Sequence, residues 1–310
     1  MDYHIEPLSK KHFTNLKILY KLVFGNDYSL SYIEKKYNTE YLGKSLFGHL
    51  AFYNEKPVAF HGAIPVLMRH KNQYELAAQY GDAMTLKEHN GKGLFTKLGK
   101  LTDEQLKKEG IRFVWGFPNQ NSEYGYINKM EWDYSNRMQC FKIKTSKLHF
   151  EKLFRKSKTT SHIYDKHLNK IFSHLKTTKR IKGSVFTEED VVSTSRNEDF
   201  YKYKSFANNF TIEIDGVLFW LKVKNGLLIG DIETSSKLDF YNAFEKMKKL
   251  AAKNGIDEII IQCSPKTLIE SWILNIDATR HETWIVGYKN FNSNFPLKNL
   301  KFTFGDLDTF

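Results

Sequence analysis

A repeat constrains this chain more than any other feature. Residues 106–132, "LKKEGIRFVWGFPNQNSEYGYINKMEW", lie over residues 251–277, "AAKNGIDEIIIQCSPKTLIESWILNID", without a gap. Each copy reads as a helix end, a glycine that stops it, a buried strand and a short second helix. One supersecondary unit met twice points to two copies of one architecture. A length of 310 residues leaves room for both.

In the first half, "GHLAFY" (48–53), "VAFHGAIPVLMRH" (58–70) and "YELAAQYGDAMTL" (74–86) read as three strands. The turns "NEKP" and "KNQ" make them antiparallel neighbours. The loop "EHNGKGLF" (88–95) follows, then a helix to Gly110 with Phe95, Leu98, Leu101 and Leu106 on one stripe. A buried strand (111–117), a short helix (121–130) and a strand (137–144) complete the half. The second half offers three strands within 209–234, with turns at Asp215-Gly216 and Asn225-Gly226, then a helix (237–255), strand, helix and strand. Between the halves, residues 145–180 are basic and helical in pattern. We expect this segment to pack across the halves; contact with an anionic membrane is the alternative.

Bulk composition sets limits. The net charge is +12, which favours an anionic partner. The charge is mostly lysine and spread along the chain, and no zinc-finger or RNA-binding motif occurs, so no nucleic-acid partner is expected. Two cysteines are too few for a disulfide framework. No apolar run approaches a membrane span, so the expectation is a cytoplasmic protein without stable membrane insertion.

The glycine pair Gly91 and Gly93, placed between a strand and a helix, is suited to hold an anion. The first amides of a helix lack internal partners, and glycines let the backbone come close. Lys92 adds positive charge at the rim. The loop lacks the pattern of a P-loop, and three antiparallel strands ahead of it do not suit a dinucleotide fold. In the second copy, "GDIETSSKLDF" replaces it, and Asp231 and Glu233 would repel a phosphate there.

Three antiparallel strands, a glycine-rich loop, helix, strand, helix and strand resemble the GNAT superfamily of N-acyltransferases. The family signature Gln/Arg-x-x-Gly-x-Gly/Ala falls on Asn90-Gly91-Lys92-Gly93-Leu94-Phe95. Gly93 matches; Asn90 replaces Gln or Arg, and Phe95 replaces a small residue. The resemblance is good over residues 1–145 and implies acetyl-CoA as co-substrate. The amides from Gly91 to Thr96 would cradle its pyrophosphate. The strand backbone at Ala83, Met84 and Thr85 would pair with the pantetheine arm, and Asn119 and Ser122 of "GFPNQNS" would face the cofactor. The implied fold class is α/β (α+β): two GNAT-like units, each a mixed, largely antiparallel sheet flanked by helices, the second degenerate. The implied division is 1–145, a connector 146–184, and 185–310. Together "GKGLF", "GFPN" and "GDLDTF" look like acyltransferases encoded with bacterial surface-polysaccharide genes.

Acyl transfer to an amine needs a base, a proton donor and close positioning. The family places a tyrosine acid where this chain has Ile127, so Tyr126 and then Tyr124 are the candidate acids. Asp82 and Glu123 are the candidate bases. His61 is mid-strand and reads as a core histidine, and His89 borders the loop. Some tandem relatives bring a terminal carboxylate into the first acceptor site. Here "FTFGDLDTF" offers Asp306, Asp308 and Phe310, and its phenylalanines Phe302, Phe304 and Phe310 suggest docking. The expected function is an acyl-CoA-dependent N-acetyltransferase for a small amine, an amino sugar or sugar nucleotide, in a possible homo-oligomer. The alternatives are an aminoacyl transferase of the peptidyl type and a non-catalytic binding module.

Overall fold

The computed structural model describes residues 2–145, 150–185, 189–234 and 236–310. In chain order the elements are β1 (His4–Pro7), α1 (Phe13–Phe24), α2 (Leu30–Tyr37), β2 (Phe47–Tyr53), β3 (Lys56–His70), β4 (Gln73–Thr85), α3 (Leu94–Lys108), β5 (Phe113–Gly116) and β6 (Asp133–Lys144). Then come α4 (Phe150–Phe154), α5 (Lys158–Ser173), β7 (Val192–Thr194), α6 (Glu198–Lys204), β8 (Phe210–Ile214), β9 (Val217–Val223), β10 (Leu227–Glu233), α7 (Lys237–Lys253), β11 (Glu258–Cys263), α8 (Leu268–Ile273) and β12 (Thr279–Asn290).

The strands join in one mixed sheet, ordered β1-β2-β3-β4-β5-β12-β6-β11-β10-β9-β8, with β7 beside the end of β3. β3 is buried along nearly its whole length, which is why it reads as a continuous apolar run rather than an alternating one. Its Pro65 falls between the end of β2 at Ala63 and the start of β7 at Met68, a gap where that edge has no ladder. The turn at Asp215-Gly216 has φ of 50° and 80°, the left-handed pair that a tight hairpin requires.

The two halves exchange their last strands. β12 runs antiparallel to β5, with Gly287 opposite Gly116 and Asn290 opposite Phe113. β6 runs antiparallel to β11, the counterpart of β5, with Cys263 opposite Gln139. β6 and β12 pair with each other at the centre.

Helices cover both faces. α3 buries Leu94, Leu98, Thr102 and Leu106, a stripe at helical spacing. Gly99 lets it approach Met130, whose Cε would lie 2.5 Å from a Cβ at that position. α5 buries Tyr164, Leu168 and Phe172 in the core of the second half with Ile212, Phe219 and Phe244, and the Tyr164 hydroxyl donates to the Asn254 carbonyl at 3.1 Å. It packs on that half and does not lie across the two. Residues 146–149 of the expected connector lie outside the described residues, as do 186–188. Among the described residues no helix is long and apolar enough to cross a membrane.

Candidate functional site

β4 and β5 pair in parallel only from Ala78–Val114 to Tyr80–Gly116. Beyond Tyr80 the strands part. There β4 also carries a bulge, because the register against β3 jumps between Phe60–Met84 and Gly62–Gly81. Asp82 lies in the bulge with φ of 58°, an uncommon conformation for a residue with a side chain. The strand is re-aimed at the opening, and Gly81, Asp82 and Ala83 are all half-buried there.

On the face of α1 and α2, Asp82 meets a buried ammonium. Lys36 Nζ lies 2.6 Å from Asp82 Oδ2 and 2.7 Å from Asp308 Oδ2. The hydroxyls of Tyr20 (2.5 Å) and Tyr37 (2.6 Å) donate to the same Asp82 oxygen. Burial opposes the Lys36 charge, but Asp308 and Asp82 raise its pKa well above the ordinary lysine range. Burial and the Asp82 carboxylate raise the pKa of both tyrosines, so they remain donors. A Cβ on Gly81 would lie 2.8 Å from Asp308 Oδ2. A glycine is therefore what admits the 303–310 segment to the edge of β4.

On the α3 face, His61 Nε2 and the Tyr126 hydroxyl are 3.1 Å apart. Both are buried, ringed by Tyr80 and Phe95. Burial pushes His61 down to about 3, so it is neutral. Burial raises Tyr126 strongly, and the charges of Asp103, Asp82 and Asp308 raise it further. Tyr126 thus holds its proton. His61 is a core histidine on this face, as its composition of neighbours suggests.

The loop before α3 is exposed from Asn90 to Gly93. Gly91 and Gly93 have φ of 72° and 73°, and nothing lies within 4 Å of where their Cβ atoms would be. Gly93 caps α3 without any side-chain hydrogen bond. The amides of Leu94, Phe95 and Thr96 are left at an open helix end. Leu94 itself is buried with Leu98, and Phe95 turns inward against Gly125 and Tyr126. Lys92 is exposed beside the glycines. Of the three residues expected to line the opening, Met84 is buried in the α1–α2 core, while Ala83 and Thr85 are half-buried.

The remaining candidates are dispersed. Tyr124 is exposed, with Lys129 Nζ 5.9 Å from its ring. Glu123 makes a two-pronged pair with Arg137, at 2.9 and 3.2 Å. Asn119 uses its side chain to accept the amides of Asn121 and Ser122, fixing the turn after β5. Ile127 packs beside Tyr126. His89 Nδ1 is 2.9 Å from the Tyr3 hydroxyl. The ring of Phe310 lies not near β4 but on the second half, 5.1 Å from the Trp220 ring and against Gly230. From the same segment it is Asp308 that reaches the first half.

The second copy shows what the same plan looks like when filled. β10 and β11 pair in parallel over Leu227–Ile259 to Ile229–Ile261, and then Gly230 breaks the register. Phe310 occupies that opening: its Cζ would lie 2.5 Å from a Cβ on Gly230. Asp231 does not face the helix that follows. It pairs with buried Arg196, which also holds Asp306 at 2.9 Å. α7 is capped by Ser236, which accepts the Asp239 amide at 3.1 Å. Its end is satisfied internally where that of α3 is not.

The opening between the parallel strands β4 and β5 thus lies in the half whose helix α3 begins at two glycines without a side-chain cap. Residues 4–135 match the family model described as an acetyltransferase (GNAT) domain. The whole chain has the fold of solved GCN5-related N-acetyltransferases. The one from Kribbella flavida aligns with a TM-score of 0.59 at 9% identity, over 92% of this chain and 70% of its own. That from Anabaena variabilis gives 0.55 at 12% identity, over 93% and 73%. A conserved protein of unknown function from Enterococcus faecalis V583 gives 0.59 at 11% identity, over 96% and 74%. No curated protein matches the chain in sequence.

Proposed function

We propose that this chain is an acyl-CoA-dependent N-acyltransferase, using acetyl-CoA and a small amine acceptor, an amino sugar or sugar nucleotide. The observation that carries the reading is the contrast between the two helix ends. α3 begins in an exposed glycine pair with no side-chain cap, and α7 is capped by Ser236. An anion has a place at the first and none at the second. Coenzyme A would supply the activated acyl group as a thioester. The amides from Gly91 to Thr96 would hold its pyrophosphate, and the β4 backbone from Ala83 to Thr85 its pantetheine arm.

Tyr126 is the proposed proton donor, because it is buried, protonated and within the field of Asp82 and Asp308. Asp308 takes the role first assigned to Phe310, since its carboxylate lies against Gly81. Asp82 holds Lys36 and two tyrosine hydroxyls, which suits a positioning residue better than a base. The division into 1–145, 146–184 and 185–310, the tandem type, the cytoplasmic location and the link to surface polysaccharides belong to the same proposal. Phe95, filling the place of the small signature residue, favours a second reading, a binding module without catalysis.

The deciding experiment is calorimetric titration with acetyl-CoA of the parent protein and of Gly93→Asp. Binding by the parent that is lost in the variant supports the crevice. Equal binding by both removes the loop from the site, and no binding by either favours the second reading.

A further inference from the structure

His61 stands opposite the bulge of β4. Phe60 pairs with Met84 and Gly62 with Gly81, which leaves His61 across from Asp82 and Ala83. Its Nε2 lies 3.1 Å from the Tyr126 hydroxyl. Among the described residues that hydroxyl has no other hydrogen-bond partner, and His61 Nδ1, fully buried, has none at all. The rings of Tyr80 and Phe95 close around the histidine, with centroids 4.7 and 5.4 Å away.

Counting hydrogens settles how the pair is arranged. Burial keeps His61 neutral, so its ring carries one hydrogen, and the phenol carries another. The two groups share a single hydrogen bond, so one hydrogen is left over. If Tyr126 donates, the spare hydrogen sits on Nδ1, sealed in the core. An unpaired buried N–H is rare, because its lost hydration is not recovered. If His61 donates, the spare hydrogen sits on Tyr126. That residue is 5% exposed against 0% for His61. Besides burial, the charges of Asp103, Asp82 and Asp308 favour a proton on its oxygen.

We propose that His61 is a positioning residue: it donates from Nε2 to the Tyr126 oxygen and leaves the phenolic hydrogen for a sulfur or oxygen atom entering between β4 and β5. The chemistry of this arrangement rests on the reading of Tyr126 as proton donor; the tautomer does not. In acyl transfer the amine nitrogen bonds to the acyl carbon, and the C–S bond breaks with its electron pair on sulfur. Sulfur then takes the Tyr126 proton, while the surplus proton of the amine goes to Asp308. Water returns the first proton and accepts the second. The phenolate formed meanwhile is held by His61 Nε2–H, a charge-assisted bond.

The test is the tautomer of His61, read from long-range proton–nitrogen NMR spectra of protein carrying nitrogen-15 histidine. His61→Gln identifies the signals. A hydrogen on Nε2 and a bare Nδ1 are expected; a hydrogen on Nδ1 overturns the proposal whatever the activity. With an amine acceptor found by screening, His61→Leu should lower kcat about tenfold, the worth of one hydrogen bond. His61→Gln, whose amide can donate from the place of Nε2, should recover most of that loss. In a Tyr126→Phe background His61→Leu should cost nothing further, because its effect passes through the phenol. Equal losses in both backgrounds would make the histidine merely structural and overturn its role. Full turnover in Tyr126→Phe would remove the proton-donor reading and the role of His61 with it, while the tautomer stands. Should His61→Leu not fold, the tautomer in the parent protein decides.

Discussion

Asp82 and Asp231 hold the same station in the two halves. Each follows a glycine at the point where two parallel strands part, and each is tied to a buried cation. On its far side that cation is held by an aspartate of one short segment: Asp308 for Lys36, Asp306 for Arg196. Lysines grip the same segment by its backbone, Lys204 at the Leu307 carbonyl (2.5 Å) and Lys222 at the Thr309 carbonyl (2.6 Å).

Arg196→Met should be strongly destabilising. It leaves Asp231 and Asp306 buried without a cation, and breaking one side of such a pair costs about 3–5 kcal/mol. Urea unfolding measures this. A loss below about 1 kcal/mol, the scale of an exposed pair, would mean that the carboxylates find other partners.

Gly93→Asp should separate binding from folding. Forcing a side chain into the left-handed region costs roughly 1–2 kcal/mol, and aspartate tolerates it better than most. The carboxylate would meet any bound pyrophosphate. The melting temperature should therefore change little while affinity for acetyl-CoA collapses.

His61 predicts a pH dependence. Its folded pKa, near 3, lies below the ordinary value of an unfolded histidine. Between those values only the unfolded state takes up the proton, so stability falls as the solution is acidified through that window. The slope is about 1.4 kcal/mol per pH unit, or roughly 2 kcal/mol between about pH 6.5 and pH 5. His61→Phe should flatten the profile, whatever its absolute stability. An unchanged slope would assign the acid sensitivity to other groups.

Asp308→Asn and Gly81→Ala should behave alike. The first removes the carboxylate; the second pushes it from β4 by placing a methyl 2.8 Å from its oxygen. With an acceptor identified by an amine screen, each should lower kcat by about 10²–10⁴ if Asp308 is the base, with acetyl-CoA affinity kept. Tyr126→Phe should fall in the same range. Full turnover in Asp308→Asn would return the base to another group.

Much of this architecture was legible because it is periodic. β3, β4 and α3 announce themselves by apolar patterning, and the repeat of 106–132 at 251–277 is visible without any structure. The strand exchange was not, because β6 and β12 each read as the last strand of its own half, and no local signal names a partner. Lys36 was also hidden, since pairing of α2 with β4 depends on packing rather than spacing. A signal did exist: Gly81-Asp82 and Gly230-Asp231 recur at the same point of the two copies. Phe310 and Asp308 were drawn to one site by their nearness in sequence. An extended segment sends such residues in different directions, and here to different halves.

The exchanged strands govern the order of assembly. β5 cannot gain its second neighbour until β12 arrives, with Phe113 waiting for Asn290. β11 likewise needs β6, which lies upstream. Closing such distant pairs requires long loops to be ordered before the contacts repay them. The two halves therefore cannot mature one after the other like beads on a string. Completion of the first half becomes a checkpoint on the second, and a chain stopped before β12 would present the bare edge of β5, the surface from which sheet aggregation begins.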